Sequence, residues 1–243
     1  MKSTLLSIMI FTIALMACND NCIQGDGSSV IEDRDVGSYT IIDNSTIANI
    51  VISDSMDLAN VIELIGEQNI IDQINTNFSG NSLAINNESS CLSSTGSLEL
   101  RLYRNNISEI NNSGTGDISG QVSSTNLTID NDGTGNILIS GIPNNSIDIT
   151  NESTGDIRVD LIESQNVVVD NSGTGDIYVN ALASLSGSLS GTGDIYYKGS
   201  PVIDVTSSGT GEIIDNNWSE RLIDVIDLSL KKGKVSKELP YWP

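Results

Sequence analysis

A turn of almost constant sequence returns at almost constant spacing through the middle of this chain, and few folds can accommodate that. It reads Thr115-Gly116-Asp117, Thr134-Gly135-Asn136, Thr154-Gly155-Asp156, Thr174-Gly175-Asp176, Thr192-Gly193-Asp194 and Thr210-Gly211-Glu212, with a fainter copy at Thr95-Gly96-Ser97. Successive copies lie 20, 19, 20, 20, 18 and 18 residues apart. A fixed period of this length marks one supersecondary unit stacked on itself, because a single unit cannot bury its own apolar face but its neighbours can.

Aligned on the threonine, the flanking apolar columns have the spacing of strands. Seven residues before it stand Leu127, Ile147, Val167, Leu185 and Ile203, and five before it Ile129, Ile149, Val169, Gly187 and Val205. Three after it come Ile118, Ile137, Ile157, Ile177, Ile195 and Ile213, and five after it Ile139, Val159, Val179 and Tyr197. A step of two puts both members of each pair on one face of a strand. A further column eight after the threonine, Ile142, Ile162 and Leu182, suits the next side of the coil. A leucine-rich repeat has a similar length but needs leucines at several fixed offsets. Columns of Ile and Val with glycine corners fit an all-β, parallel β-helix (β-solenoid) with rungs of 18–20 residues. The corner glycines are expected to take positive φ at the bend. The column Asn112, Asn131, Asn151 and Asn171, three before the threonine, is expected to form a structural amide ladder along the rod.

Ser-Gly-Thr-Gly-Asp-Ile at 172–177, its longer copy at 190–201, Gly66-Glu67-Gln68-Asn69-Ile70 and Gly80-Asn81-Ser82-Leu83-Ala84-Ile85 resemble the putative auto-transporter adhesin, head GIN domain family. The resemblance covers roughly residues 38–215. It implies a right-handed β-solenoid, secreted or lipid-anchored, and favours surface binding without naming a ligand. Two corners depart from the pattern, with Asp132-Gly133 and Glu152-Ser153 in place of Ser-Gly.

The ends of the chain read differently. Lys2 followed by the apolar run Leu5–Leu15 and by Leu15-Met16-Ala17-Cys18 has the form of a secretory signal, too short to span a bilayer. Its last four residues resemble a lipobox, so residues 1–17 are expected to be removed and Cys18 lipidated. That implies an outer membrane lipoprotein of the cell envelope, held to the membrane by its lipid. Cys22 and Cys91 then remain as an even pair for which a disulfide is permitted. Residues 18–37, rich in Gly, Ser and acids, read as a flexible tether. The solenoid is expected over 38–216, with irregular strands before residue 103 capping its open edge. Asn69 to Ile74 reads as a turn or short helix. The segment 217–243 is expected to cap the far end, as helix or strand, and to finish in a solvated basic tail.

Acids outnumber bases by 32 to 11, which disfavours nucleic acid as a partner. The absence of histidine removes Ser-His-Asp and Cys-His catalysis and a usual zinc site, and no cofactor is expected. Carboxylates remain. Asp117, Asp156, Asp176, Asp194 and Glu212 form one column, broken by Asn136. Neighbours about 5 Å apart repel by roughly 0.8 kcal/mol in water, so some role must offset the cost. Accepting backbone N–H groups in the turn is the favoured role, since it recurs in every rung. A Ca²⁺ ladder and a carboxylate pair of a carbohydrate-active enzyme are the alternatives. A ligand is sought on the outward stripe Leu138, Arg158, Tyr178, Tyr196 and Ile214, where an Arg and two tyrosines suit a glycan or protein partner. The function expected is therefore a non-catalytic structural or adhesive binding module.

Overall fold

The computed structural model describes residues 22–53, 60–89 and 91–217. The proposed signal, Cys18 and nearly all of the expected 217–243 cap lie outside them. The strands are β1 (Ile23–Gln24), β2 (Ser29–Asp35), β3 (Ile41–Ser45), β4 (Asn49–Ile52), β5 (Val61–Glu67), β6 (Ile74–Ser79), β7 (Ser82–Asn87), β8 (Leu92–Ser93), β9 (Glu99–Leu102) and β10 (Glu109–Asn112). They continue as β11 (Ile118–Val122), β12 (Asn126–Asn131), β13 (Ile137–Gly141), β14 (Asn144–Asn151), β15 (Ile157–Asn171), β16 (Ile177–Leu189), β17 (Ile195–Gly199), β18 (Val202–Ser207) and β19 (Ile213–Asp215). One short helix, α1 (Gln68–Ile71), follows β5.

From β10 onward the chain winds as a parallel β-solenoid. Ile118 pairs with Ile137, Ile137 with Ile157, Ile157 with Ile177, Ile177 with Ile195, and Ile195 with Ile213. The first five are completely buried and form a single interior file. The columns before the corner do the same: Leu127, Ile147, Val167 and Leu185 stack in register, as do Ile129, Ile149 and Val169. Each isoleucine rests on an identical neighbour, and burial of that size of side chain stabilises by about 1.5–3 kcal/mol. Ile203, which pairs with Leu185 at the end of this column, is 43 % exposed.

The stacking order is not the sequence order. β3 and β4 pair with β10 and β11 on one side and with β7 and β9 on the other. The coil at 41–52 is thus inserted beneath the regular repeats, and the coil at 82–102 lies outside it. The fainter Thr95-Gly96-Ser97 corner is also shifted: the pairing of Ile50 with both Ile118 and Leu100 sets Ser97, not Thr95, at the level of Thr115. Antiparallel strands close this end, β2 pairing with β5, β5 with β9 and β6 with β7.

Three expectations are corrected. Residues 23–35 are not a free tether: β1 pairs with β8 beside the Cys22–Cys91 disulfide, and β2 pairs with β5 along its whole length. Arg34 fixes that strand by donating to the carbonyls of Ile71 and Ile74. The corner glycines do not adopt positive φ, which among the described residues occurs at Gly27, Gly80, Gly120, Gly187 and Gly199. They are needed for close approach, since a Cβ on Gly135, Gly155, Gly175 or Gly193 would overlap the carbonyl oxygen of the equivalent glycine in the preceding coil. Finally, the column eight after the threonine does not stay inside. Ile142 and Leu182 are 53 % and 39 % exposed, and Val122, Gly141 and Ala181, one residue earlier, occupy the inner level. Ile162 is buried because a bulge in β15 after Arg158 shifts the register against β13.

Candidate functional site

The asparagine column is structural. Asn44 Nδ2 donates to Asn112 Oδ1 at 2.8 Å, and Asn112 Nδ2 donates to Asn131 Oδ1 at 2.9 Å. Further along, Asn131, Asn151 and Asn171 turn their amides onto the carbonyls of Gly135, Gly155 and Gly175. Where Ser153 replaces the glycine, its buried hydroxyl donates to Asn151 and accepts from Asn131 and from the Gly155 N–H. Asn44 was missed in the sequence because its corner, Thr46-Ile47-Ala48, has no glycine.

The acidic column is a second ladder, and it differs from the expected local turn. Asn49 accepts the backbone N–H of Asp117, Asp117 that of Asn136, Asn136 that of Asp156, Asp156 that of Asp176, Asp176 that of Asp194, and Asp194 that of Glu212, at 2.8–3.0 Å. One side-chain oxygen from each coil therefore pins the next coil rather than its own. Among the described residues, no group of three or more His, Cys, Asp or Glu side chains could hold a metal ion.

The outward stripe lies directly beside this ladder. Register places Val51, Ser119, Leu138, Arg158, Tyr178, Tyr196 and Ile214 in one file across seven neighbouring strands. The Tyr178 and Tyr196 rings are stacked with centroids 4.6 Å apart, and the Arg158 guanidinium lies 3.8 Å from the Tyr178 centroid. Each tyrosine hydroxyl donates to the second oxygen of its own rung's acid, Tyr178 to Asp176 and Tyr196 to Asp194. Desolvation first, and then the bond to Asp194, pushes the Tyr196 hydroxyl up to about 12, so it stays a donor. Desolvation also raises Tyr178.

This stack changes what the four predicted ligand residues can do. Both faces of the Tyr178 ring are covered, one by Arg158 and the other by Tyr196, so its edge meets solvent and a sugar cannot lie on it. Leu138 and Arg158 instead line a groove of about 630 Å³ together with Val51, Ser119, Asp117 and Asp156. A second hollow of about 400 Å³ shares Ser119 and Leu138 and continues towards Gln121, Ser140 and Leu161. The small Ser119 between Val51 and Leu138 makes the depression. Nothing in the local sequence signals it, because Val51 comes from a coil 68 residues earlier.

Another acid escaped the sequence reading. Glu67 is 3 % exposed and accepts the N–H groups of Thr95 and Gly96 at 2.9 Å, along with the Ser94 and Thr95 hydroxyls. Those hydroxyl bonds, Ser94 first, hold its carboxyl at about 2. It braces the wide corner of the outermost coil, a structural task.

A coiled parallel sheet braced by two side-chain ladders, with shallow grooves on its outward face, defines a β-solenoid. The chain belongs to the family described as "Putative auto-transporter adhesin, head GIN domain", whose model matches residues 38–201. Among solved structures it is similar to a putative adhesin from Bacteroides fragilis, with 23 % identity, a TM-score of 0.65, and coverage of 79 % of this chain and 99 % of that one. A putative adhesin from Parabacteroides distasonis aligns with 17 % identity and a TM-score of 0.48, covering 80 % of this chain and 100 % of that one. A putative lipid binding protein from the same organism aligns with 20 % identity and a TM-score of 0.47, covering 79 % and 99 %. No curated protein matches the chain.

Proposed function

We propose that the protein is a non-catalytic adhesive module of the cell envelope, carried on a lipid at Cys18 and binding a glycan or protein on the outward sheet that bears Leu138 and Arg158. The observation that carries this reading is the rigid file on that sheet. Arg158 is braced against Tyr178, Tyr178 against Tyr196, and both hydroxyls are tied to the acid ladder. A surface whose side chains are fixed before contact loses less conformational entropy when a ligand binds. Family membership supports adhesion, and the fold shared with the Bacteroides fragilis protein is compatible with it.

The acid ladder weighs against its use in catalysis or as a Ca²⁺ ladder. One oxygen of each Asp is already occupied by a backbone N–H of the next coil, and the same bond repeats rung after rung as a structural ladder requires. The test is binding of the soluble domain to arrays of glycans and extracellular matrix proteins, comparing wild type with Tyr178→Ala/Tyr196→Ala. The double variant should lose at least tenfold in affinity, because Arg158 loses its support. No binding by the wild type to any sugar or matrix protein overturns adhesion. Anchoring is tested separately: Cys18→Ser should move the protein from the membrane fraction to the soluble one, and retention in the membrane overturns the lipid anchor.

A further inference from the structure

We infer that the furrow over Ser119 is the ligand seat and that it takes a neutral saccharide. This rests on the adhesive reading and names its site and substrate class. Val51 and Leu138 stand on either side of Ser119 in the same outward file, two strand spacings or about 9.6 Å apart. Between these apolar walls the serine leaves room for one flat group lying along β11.

The chemistry at the end of the furrow selects the occupant. Asp117 and Asp156 each use one carboxylate oxygen on a neighbouring backbone N–H, and their second oxygens have no described partner. These are acceptors. Donors come from the Arg158 guanidinium at the same groove, which lies over the Tyr178 ring, shares a hydrogen bond with that tyrosine's hydroxyl and forms no ion pair with a described carboxylate. A sugar hydroxyl both donates and accepts, and a pyranose has C–H faces for Val51 and Leu138, so it satisfies every part of the furrow.

Other occupants meet specific obstacles. An extended peptide binds a sheet by adding to a free edge, but β11 is hydrogen-bonded to β4 on one side and β13 on the other. An acidic sugar or nucleic acid would be repelled by Glu99, Asp117 and Asp156, which line the same groove, and by the net charge of −21. Leu161, raised to the surface by the β15 bulge, extends the apolar wall into the second hollow. The seat therefore has length for more than one ring.

Ser119→Leu fills the furrow without touching the interior, and Thr128→Leu makes a comparable change at an exposed position on β12, the next strand in sequence, which pairs with β10 and β14 rather than with β11. Both variants and the wild type are applied to an array of immobilised neutral and sialylated oligosaccharides and to immobilised matrix proteins, with circular dichroism melts confirming equal folding. The wild type should bind at least one neutral oligosaccharide, Ser119→Leu should bind it at least tenfold more weakly, and Thr128→Leu should bind it unchanged. Unchanged binding by Ser119→Leu overturns the seat while leaving adhesion intact. Capture of matrix proteins or sialylated glycans alone overturns the saccharide class, and no binding to anything overturns both readings.

Discussion

The glycines of the corner are chosen by what lies under them. In Gly155, Gly175 and Gly193 the missing Cβ would sit against a backbone carbonyl of the preceding coil, and backbone cannot rotate away as a side chain can. Gly175→Ala should therefore destabilise by about 1–3 kcal/mol, the range for overpacking, measured by chemical denaturation. Gly96→Ala is the control, because its nearest neighbour would be a Glu67 oxygen at 3.7 Å, and it should change stability by less than about 0.5 kcal/mol. The asparagine ladder gives a second test at this scale. Asn112→Ala leaves the buried Asn44 amide and the Gly114 N–H without their acceptor, which should cost about 1–3 kcal/mol. Glu67 sets a pH dependence. Its carboxyl is held at about 2 in the folded chain against an ordinary 4.5, so its bonds contribute fully above pH 4.5. That contribution falls as pH drops from 4.5 towards 2. Acid unfolding followed by circular dichroism should show the loss in wild type, and Glu67→Gln should flatten it.

At the scale of elements, the regular coils from 109 to 207 were legible because each places apolar side chains two apart on both sides of a glycine corner. The coil at 41–52 was harder to place. Its strands alternate correctly, but Ile47-Ala48 disguises the corner, and pairing 68 residues away leaves no local trace. The 23–35 strands were masked by composition, since Gly, Ser and acids also describe a linker, and pairing with β5 and β8 overrides that tendency. The outward stripe was legible from register alone, whereas the covered faces of Tyr178 and the Ser119 furrow depend on how far each side chain reaches. Because the Cys22–Cys91 disulfide anchors β1 to β8, Cys91→Ser should lower stability by about 2–4 kcal/mol. It should also open the 23–35 region to limited proteolysis ahead of the coils.

For the whole molecule, stability and presentation come from the same repetition. Each coil contacts only its neighbours, so the rod is a one-dimensional stack in which length follows coil number. Side chains at one level on successive coils must then recede from one another by a fixed step of about 4.8 Å. Spin labels at Thr115 paired in turn with Thr174, Thr192 and Thr210, all at exposed or partly exposed corner positions, measure this by pulsed electron resonance. Three, four and five coils apart, the backbone positions should lie about 14, 19 and 24 Å from each other. A steady rise in the measured distances is the predicted result, and distances that fail to grow with the number of intervening coils would contradict the solenoid and the outward face built on it.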